Sequence, residues 1–143
     1  KGCAPLFAAV LADWEREMPK RLSLDPGPVD GWNYRQARAA DGFSNHASGT
    51  AVDARYDVLK ADDKRHMNKV ETDTMHKILA RYKTADGHCV IGWGGNWGKC
   101  DEMHLELSQG WDHASGAKRN TTQKDVDEVM ALLHIDKNGV RPM

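Results

Sequence analysis

Two short stretches carry side chains that could do chemistry together. Residues 44–53, SNHASGTAVD, place His46 and Asp53 around a run of small residues, and DEMHLEL, farther along the chain, places Asp101 before His104. Two imidazoles and one carboxylate, with a fourth position left to water, form a common catalytic zinc arrangement. Because such a metal lowers the pKa of water toward about 7, these residue types fit metal-assisted hydrolysis.

Spacing alone leaves a second interpretation open. Seven histidines and 21 acidic residues produce such pairs by chance, and pairs of this kind are often solvated surface residues. The zinc signature HExxH is absent. Whether these residues form a metal site or are solvated depends on the strands and loops that position their side chains.

Both stretches contain a predicted strand. Residues 50–56 read as a strand with Asp53 on its polar side and His46 in the loop before it. In residues 103–107, alternation turns the apolar side chains inward and turns His104 and Glu106 outward. If the two strands are neighbours, His46, Asp53 and His104 converge on one cation.

Asp101 requires a different position. Residues three apart on a straight strand face opposite sides, so Asp101 would not share a face with His104 if the strand included both. We therefore expect Asp101 on the turn that leaves GWGGNWGKC. There it could reach a water molecule as a general base.

The rest of the pattern predicts an α+β domain. Apolar spacing indicates helices over 5–18 and 62–83, and a last helix capped by Thr121 or Thr122 and running to about Leu133. HCVIGWG reads as a short strand that enters a glycine-rich turn. We expect one domain over 1–136 and, over 137–143, the start of a linker to a further C-terminal domain.

Composition restricts the classes of partner. The net charge is −1 without a basic excess, which argues against a nucleic-acid partner. The longest apolar run, residues 4–12, is too short to span a membrane. No secretory signal is expected. The cysteines lack a CxxC arrangement, and pairing of Cys89 with Cys100 is left open.

The two motifs together resemble the SxHxxGxAxD and (D/E)xxH pattern of the LAS metallopeptidases, the group named for lysostaphin, D-alanyl-D-alanine peptidases and sonic hedgehog. The resemblance covers 32–107 and is greatest to the D-alanyl-D-alanine carboxypeptidase and L-alanyl-D-glutamate peptidase branch, including peptidase domains of phage endolysins. It implies a small, mainly antiparallel sheet that carries the zinc site and packs against about three helices.

The resemblance also implies roles for individual residues. It makes His46, Asp53 and His104 the ligands of one zinc ion and Asp101 the catalytic acid and base. Arg35 matches the arginine that stabilises the developing oxyanion, although Arg38 is an alternative and either could be a solvated loop charge. Ser44 matches the motif's serine, in a supporting hydrogen bond. Two further side chains could line a substrate groove or belong to the core: Trp93 and Trp97.

The expected function is therefore that of a monomeric zinc endopeptidase acting on peptidoglycan stem peptides, as the catalytic domain of a phage endolysin. Such a protein would be made in the host cytoplasm and act at the bacterial cell wall. Two alternatives are a D-alanyl-D-alanine carboxypeptidase of the same fold and a non-catalytic module that contains zinc. Asp101 argues against the second alternative, because a purely structural zinc site needs no base.

Overall fold

The computed structural model describes residues 2–24, 29–30, 51–60, 62, 64–109 and 120–142. Helices and strands alternate irregularly along the chain, which confirms the predicted α+β class. The helices are α1 (Ala4–Glu17), α2 (Lys69–Leu79) and α3 (Gln123–Leu132), and the strands are β1 (Val29–Asp30), β2 (Ala51–Ala54), β3 (Ile91–Trp93) and β4 (His104–Leu107). Short 3₁₀ helices span Lys20–Leu22 and Gly94–Asn96.

Helix α1 follows the predicted bounds closely. Proline at the start of a helix loses no intrahelical hydrogen bond, and Pro5 stands in the first turn. The apolar stripe of the helix, which includes Leu6, Val10 and Trp14, is fully buried. Trp14 also donates its Nε1–H to the carbonyl oxygen of Leu22 at 2.8 Å. This bond fixes the chain where it turns away from α1.

The prediction of a helix over 62–83 is wrong at both ends, because α2 begins at Lys69 and ends at Leu79. Helix α2 starts only after Asn68, whose side chain accepts the Glu71 N–H while the Glu71 carboxylate accepts the Asn68 N–H. Upstream, the backbone N–H groups of His66 and Met67 donate to the carboxylate of Glu102. Because Glu102 holds these amides, that segment stays non-helical. Val70, expected in the buried stripe, is 72% exposed.

Helix α3 confirms one of the two predicted caps. The Thr122 hydroxyl accepts the Asp125 N–H, and the Asp125 carboxylate accepts the Thr122 N–H in return. Reciprocal bonds of this kind satisfy two N–H groups that a helix start leaves open. The helix ends at Leu132, one residue before the expected end.

The four strands form one antiparallel sheet in the order β1-β2-β4-β3. The predicted strands around Asp53 and His104 are thus direct neighbours. One face carries Leu105 and Trp93 into the core with the helices. The other face carries Asp53 opposite His104 and Glu106 opposite both Ala51 and Gly92. We call this second face the polar face of the sheet.

The polar face differs from the expectation in one respect. Alternation predicts that His104 points outward to solvent, but its exposed fraction is 6%, and that of Asp53 is 5%. Trp97 covers the imidazole, with ring centroids 5.2 Å apart. A period-two pattern assigns a side chain to a face of the sheet, but it does not reveal what else covers that face.

Several other expectations concern the chain's cross-links and termini. Cys3, Cys89 and Cys100, all within the described residues, form no disulfide.

The chain after residue 136 packs on α1 as far as Arg141, whose guanidinium binds Asp13 at 2.7 Å. A linker and a further domain stay predictions. Within the described ranges, no helix is both long and apolar enough to cross a membrane.

Asp13 is a fully buried carboxylate that joins α1 to the rest of the fold. It accepts hydrogen bonds from Tyr82 at 2.6 Å and from Arg141, and it also pairs with Arg16 and Arg81. Burial by itself would raise the pKa of Asp13, but the hydrogen bonds from Tyr82 and Arg141 outweigh it and lower the pKa. The ionised form is therefore the one that the fold stabilises.

We expect Asp13→Asn to lower the free energy of unfolding at pH 7 by about 3 kcal/mol, because it leaves partly buried cations without their counter-charge. A lowered pKa stabilises the fold above the ordinary value of about 3.9, and this stabilisation is lost as pH falls through the lowered pKa. The difference between wild type and variant should thus shrink below about pH 4. Urea denaturation at pH 7 and pH 3 measures both effects. Asp73→Asn, in an exposed pair with Lys69, is the control and should change stability little.

Candidate metal and catalytic site

Asp53 and His104 meet on the polar face of the sheet. Their strands pair antiparallel, and the register places the two residues directly opposite each other. His104 Nδ1 lies 3.2 Å from Asp53 Oδ1, and both side chains are buried. Residues far apart in sequence are thus brought together by backbone pairing. This is the juxtaposition that the metal hypothesis requires of these two residues.

Glu106 binds the other nitrogen of the same imidazole. His104 Nε2 lies 2.7 Å from Glu106 Oε1, on the same face of β4. Burial alone would lower the pKa of His104, but hydrogen bonds to Asp53 and Glu106 outweigh it and raise the pKa to about 9. Each ring nitrogen therefore faces a carboxylate. Glu106, which the sequence left undecided between orienting a ligand and facing solvent, orients the imidazole.

This arrangement fits a bound zinc ion. Histidine ligands commonly donate their second N–H to a carboxylate, which fixes the tautomer and the ring orientation. With the Nε2 proton directed at Glu106, Nδ1 is the nitrogen left to bind a cation, and it faces the Asp53 oxygen. A cation between Nδ1 and Oδ1 would take the place of a proton. The donor types, one nitrogen and one oxygen, are those that zinc accepts.

Asp101 lies on the turn before β4, as predicted, and its exposed fraction is 6%. Its N–H donates to the Gly94 carbonyl oxygen at 2.9 Å, and its own carbonyl oxygen accepts the His104 N–H at 3.1 Å. A Cβ at Gly94 would stand 2.1 Å from the Asp101 carbonyl oxygen. The turn therefore requires glycine at position 94, and it connects Asp101 directly to His104.

Glu102 organises the segment beside the site, and sequence reasoning missed it. Its side chain is buried and accepts from the guanidinium of Arg65 at 2.9 Å as well as from backbone amides. Its carbonyl oxygen accepts the Nε1–H of Trp93 at 2.8 Å. The spacing to His104 singled out Asp101, and Glu102 beside it carried no signal of its own in the sequence.

The two tryptophans occupy different environments. Trp93 is 1% exposed and belongs to the hydrophobic core, the second of the two positions proposed for it. Trp97 is 43% exposed, and its ring is tilted by 47° against the His104 ring. Trp97 thus presents an exposed ring beside His104, while Trp93 is packed in the core.

Four predicted site residues lie outside the described residues: Arg35, Arg38, Ser44 and His46. Their roles stay predictions. The residues that the structure describes contain no group of three or more histidine, cysteine, aspartate or glutamate side chains arranged to hold a metal. His46, the third expected ligand, is not among those residues.

Comparison with known proteins gives one match. A family model described as D-alanyl-D-alanine carboxypeptidase matches residues 37–107, which is 71 of the 143 residues. The matched range contains His46, Asp53, Asp101 and His104; it includes Arg38 and begins after Arg35. No curated protein and no solved structure matches the chain significantly. The match supports a peptidase that is similar to this family.

Proposed function

We propose that the protein is a zinc-dependent endopeptidase that hydrolyses a peptide bond in bacterial peptidoglycan. The observation that carries the proposal is the 3.2 Å approach of His104 Nδ1 to Asp53 Oδ1 on paired strands. The family match spans both residues and His46, and thus supports a common site. The family match supports a peptidase, and the proposal adds zinc, the cell wall and cleavage at an internal peptide bond.

His46, Asp53 and His104 would hold the metal, and Glu106 would keep the His104 ring in its present orientation. Bound zinc supplies Lewis acidity and lowers the pKa of water toward neutrality. Asp101 accepts the proton of the attacking water and returns it to the departing amine. Arg35 or Arg38 holds the scissile carbonyl oxygen through guanidinium hydrogen bonds, which stabilise negative charge as it develops.

The biological setting is part of the same proposal. We infer a monomeric phage endolysin domain that is made in the host cytoplasm and acts on stem peptides at the cell wall. The net charge of −1 shows no excess of basic residues, which favours a peptide over a nucleic acid as the substrate.

The match to a D-alanyl-D-alanine carboxypeptidase family favours a second candidate, a carboxypeptidase that removes a terminal D-alanine. Such an enzyme needs a cation for the free terminal carboxylate, whereas an endopeptidase accepts peptides extended on both sides of the cleaved bond. A non-catalytic zinc module is less favoured, because Asp101 is present on the turn beside the His104 backbone.

Digestion of purified sacculi, and separately of a free stem pentapeptide, tests the proposal. We expect new amino termini inside the sacculus peptides by mass spectrometry, their loss after treatment with a chelator, and their return when zinc is added. Release of D-alanine alone from the pentapeptide would establish the carboxypeptidase instead. Absence of cleavage in both substrates, with zinc bound, would overturn both enzymatic candidates.

A further inference from the structure

A cavity of about 490 Å³ lies at the β3 edge of the sheet, where residues of β3, β4 and the C-terminal part of α2 line it. Trp97, Glu106 and Gly92 line it on the sheet side. Lys83, Asn96 and Leu79 are among the residues that line it elsewhere. The roles proposed above for the catalytic residues do not use this space.

The sheet register explains why the cavity exists. Glu106 is flanked on the polar face by Ala51 on one neighbouring strand and by Gly92 on the other. Gly92, the neighbour on β3, has no side chain to fill the space beside Glu106 on that strand. A Cβ at Gly92 would meet its nearest atoms at 3.6 Å or more, which is ordinary contact. Position 92 therefore has room for a larger side chain.

Two side chains connect the cavity to the candidate metal site. Glu106 lines the cavity and binds His104 Nε2 at 2.7 Å. Trp97 lines it and covers the His104 ring. A ligand in the cavity would thus lie next to the imidazole, and would contact the aromatic face of Trp97.

The cavity also offers donors for a negative charge. Lys83 is exposed at its wall, and among the described residues its ammonium makes no ion pair. The Asn96 carbonyl oxygen is engaged by His76 Nε2 at 2.8 Å, which leaves the amide N–H₂ as a donor. The one carboxylate among the lining residues, Glu106, is already bound to His104. A peptide carboxylate complements this set better than a cation does.

We propose that this cavity is a substrate subsite for a carboxylate-bearing part of the peptide, with Lys83 as its cation and Gly92 as the residue that keeps it open. The inference rests on the proposed function for the identity of the peptide. The subsite adds a determinant of specificity outside the two metal motifs. It is formed by Lys83, which follows the C-terminus of α2, and by Gly92 on β3.

The test uses zinc-loaded protein and calorimetric titration with a stem tetrapeptide that is N-methylated at its peptide bonds to resist hydrolysis, once with free carboxylates and once with carboxamides in their place. We expect Lys83→Gln to raise the Kd of the carboxylate peptide about fivefold to tenfold and to leave the Kd of the amidated peptide unchanged. Gly92→Val should raise the Kd of both peptides tenfold or more by filling the cavity. Mass spectrometry verifies that each peptide stays intact.

Lys124→Gln, an exposed lysine on α3, is the charge control, and Gly92→Ala is the size control. Equal zinc content and equal unfolding midpoints in all variants exclude a folding effect. Unchanged affinity for the carboxylate peptide in Lys83→Gln and Gly92→Val, or no binding by wild type, would overturn the subsite. Wild-type hydrolysis of sacculi, measured separately, reports on the proposed function, so the two failures are distinguishable.

Discussion

Asp101→Asn lowers the rate of peptide hydrolysis about 10³-fold in our expectation, while the zinc content of the protein stays at the wild-type level. A positioned general acid and base contributes about 10²- to 10⁴-fold to a rate, and an asparagine amide cannot take up the proton. The substitution preserves the shape of the side chain, and the backbone bonds to Gly94 and His104 do not depend on it. Steady-state rates on a stem peptide and metal analysis by mass spectrometry measure the two quantities.

Asp127→Asn, an exposed position on α3, is the matched control and should be as active as wild type. Hydrolysis by Asp101→Asn at the wild-type rate would remove Asp101 from the mechanism. Loss of zinc together with activity would instead make it a metal ligand. Because Asp101 is buried, circular dichroism must show that the variant is folded before either result is interpreted.

His104→Ala should abolish stoichiometric zinc binding and, with it, hydrolysis. The substitution removes the nitrogen that faces Asp53 and leaves the carboxylates of Asp53 and Glu106 on the same buried face without the imidazole between them. Equilibrium dialysis with zinc, followed by metal analysis, gives the affinity directly. Zinc retained at one equivalent per chain would contradict the assignment of His104 as a ligand.

Glu106→Gln provides a graded comparison at the same imidazole. Loss of a carboxylate that orients a histidine ligand costs about 10- to 100-fold in metal affinity, so this variant should bind zinc weakly and not lose it entirely. An effect equal to that of His104→Ala would indicate that Glu106 itself binds the metal. No effect would indicate that the 2.7 Å contact does not orient a ligand.

Local sequence determined the elements whose stabilising contacts lie close along the chain. Thr122 and Asp125 cap α3 through residues three apart, and α1 buries a stripe set by helical spacing, so both were predictable. The strand over 103–107 and the turn around Asp101 were also predictable, because local alternation and local turn residues indicate them. The residue types of the two motifs fitted a metal site but left solvated surface residues as an alternative, and His46 lies outside the described residues.

Contacts between residues that are distant in sequence were decided only by the tertiary structure. The late start of α2 depends on Glu102, which holds the amides of residues 66 and 67 from more than thirty positions away. The burial of His104 depends on Trp97, and the cavity depends on which small residues the register places beside Glu106. The periodicity of the sequence does not predict such long-range contacts. They depend on strand register and on side chains from distant segments that cover a face of the sheet.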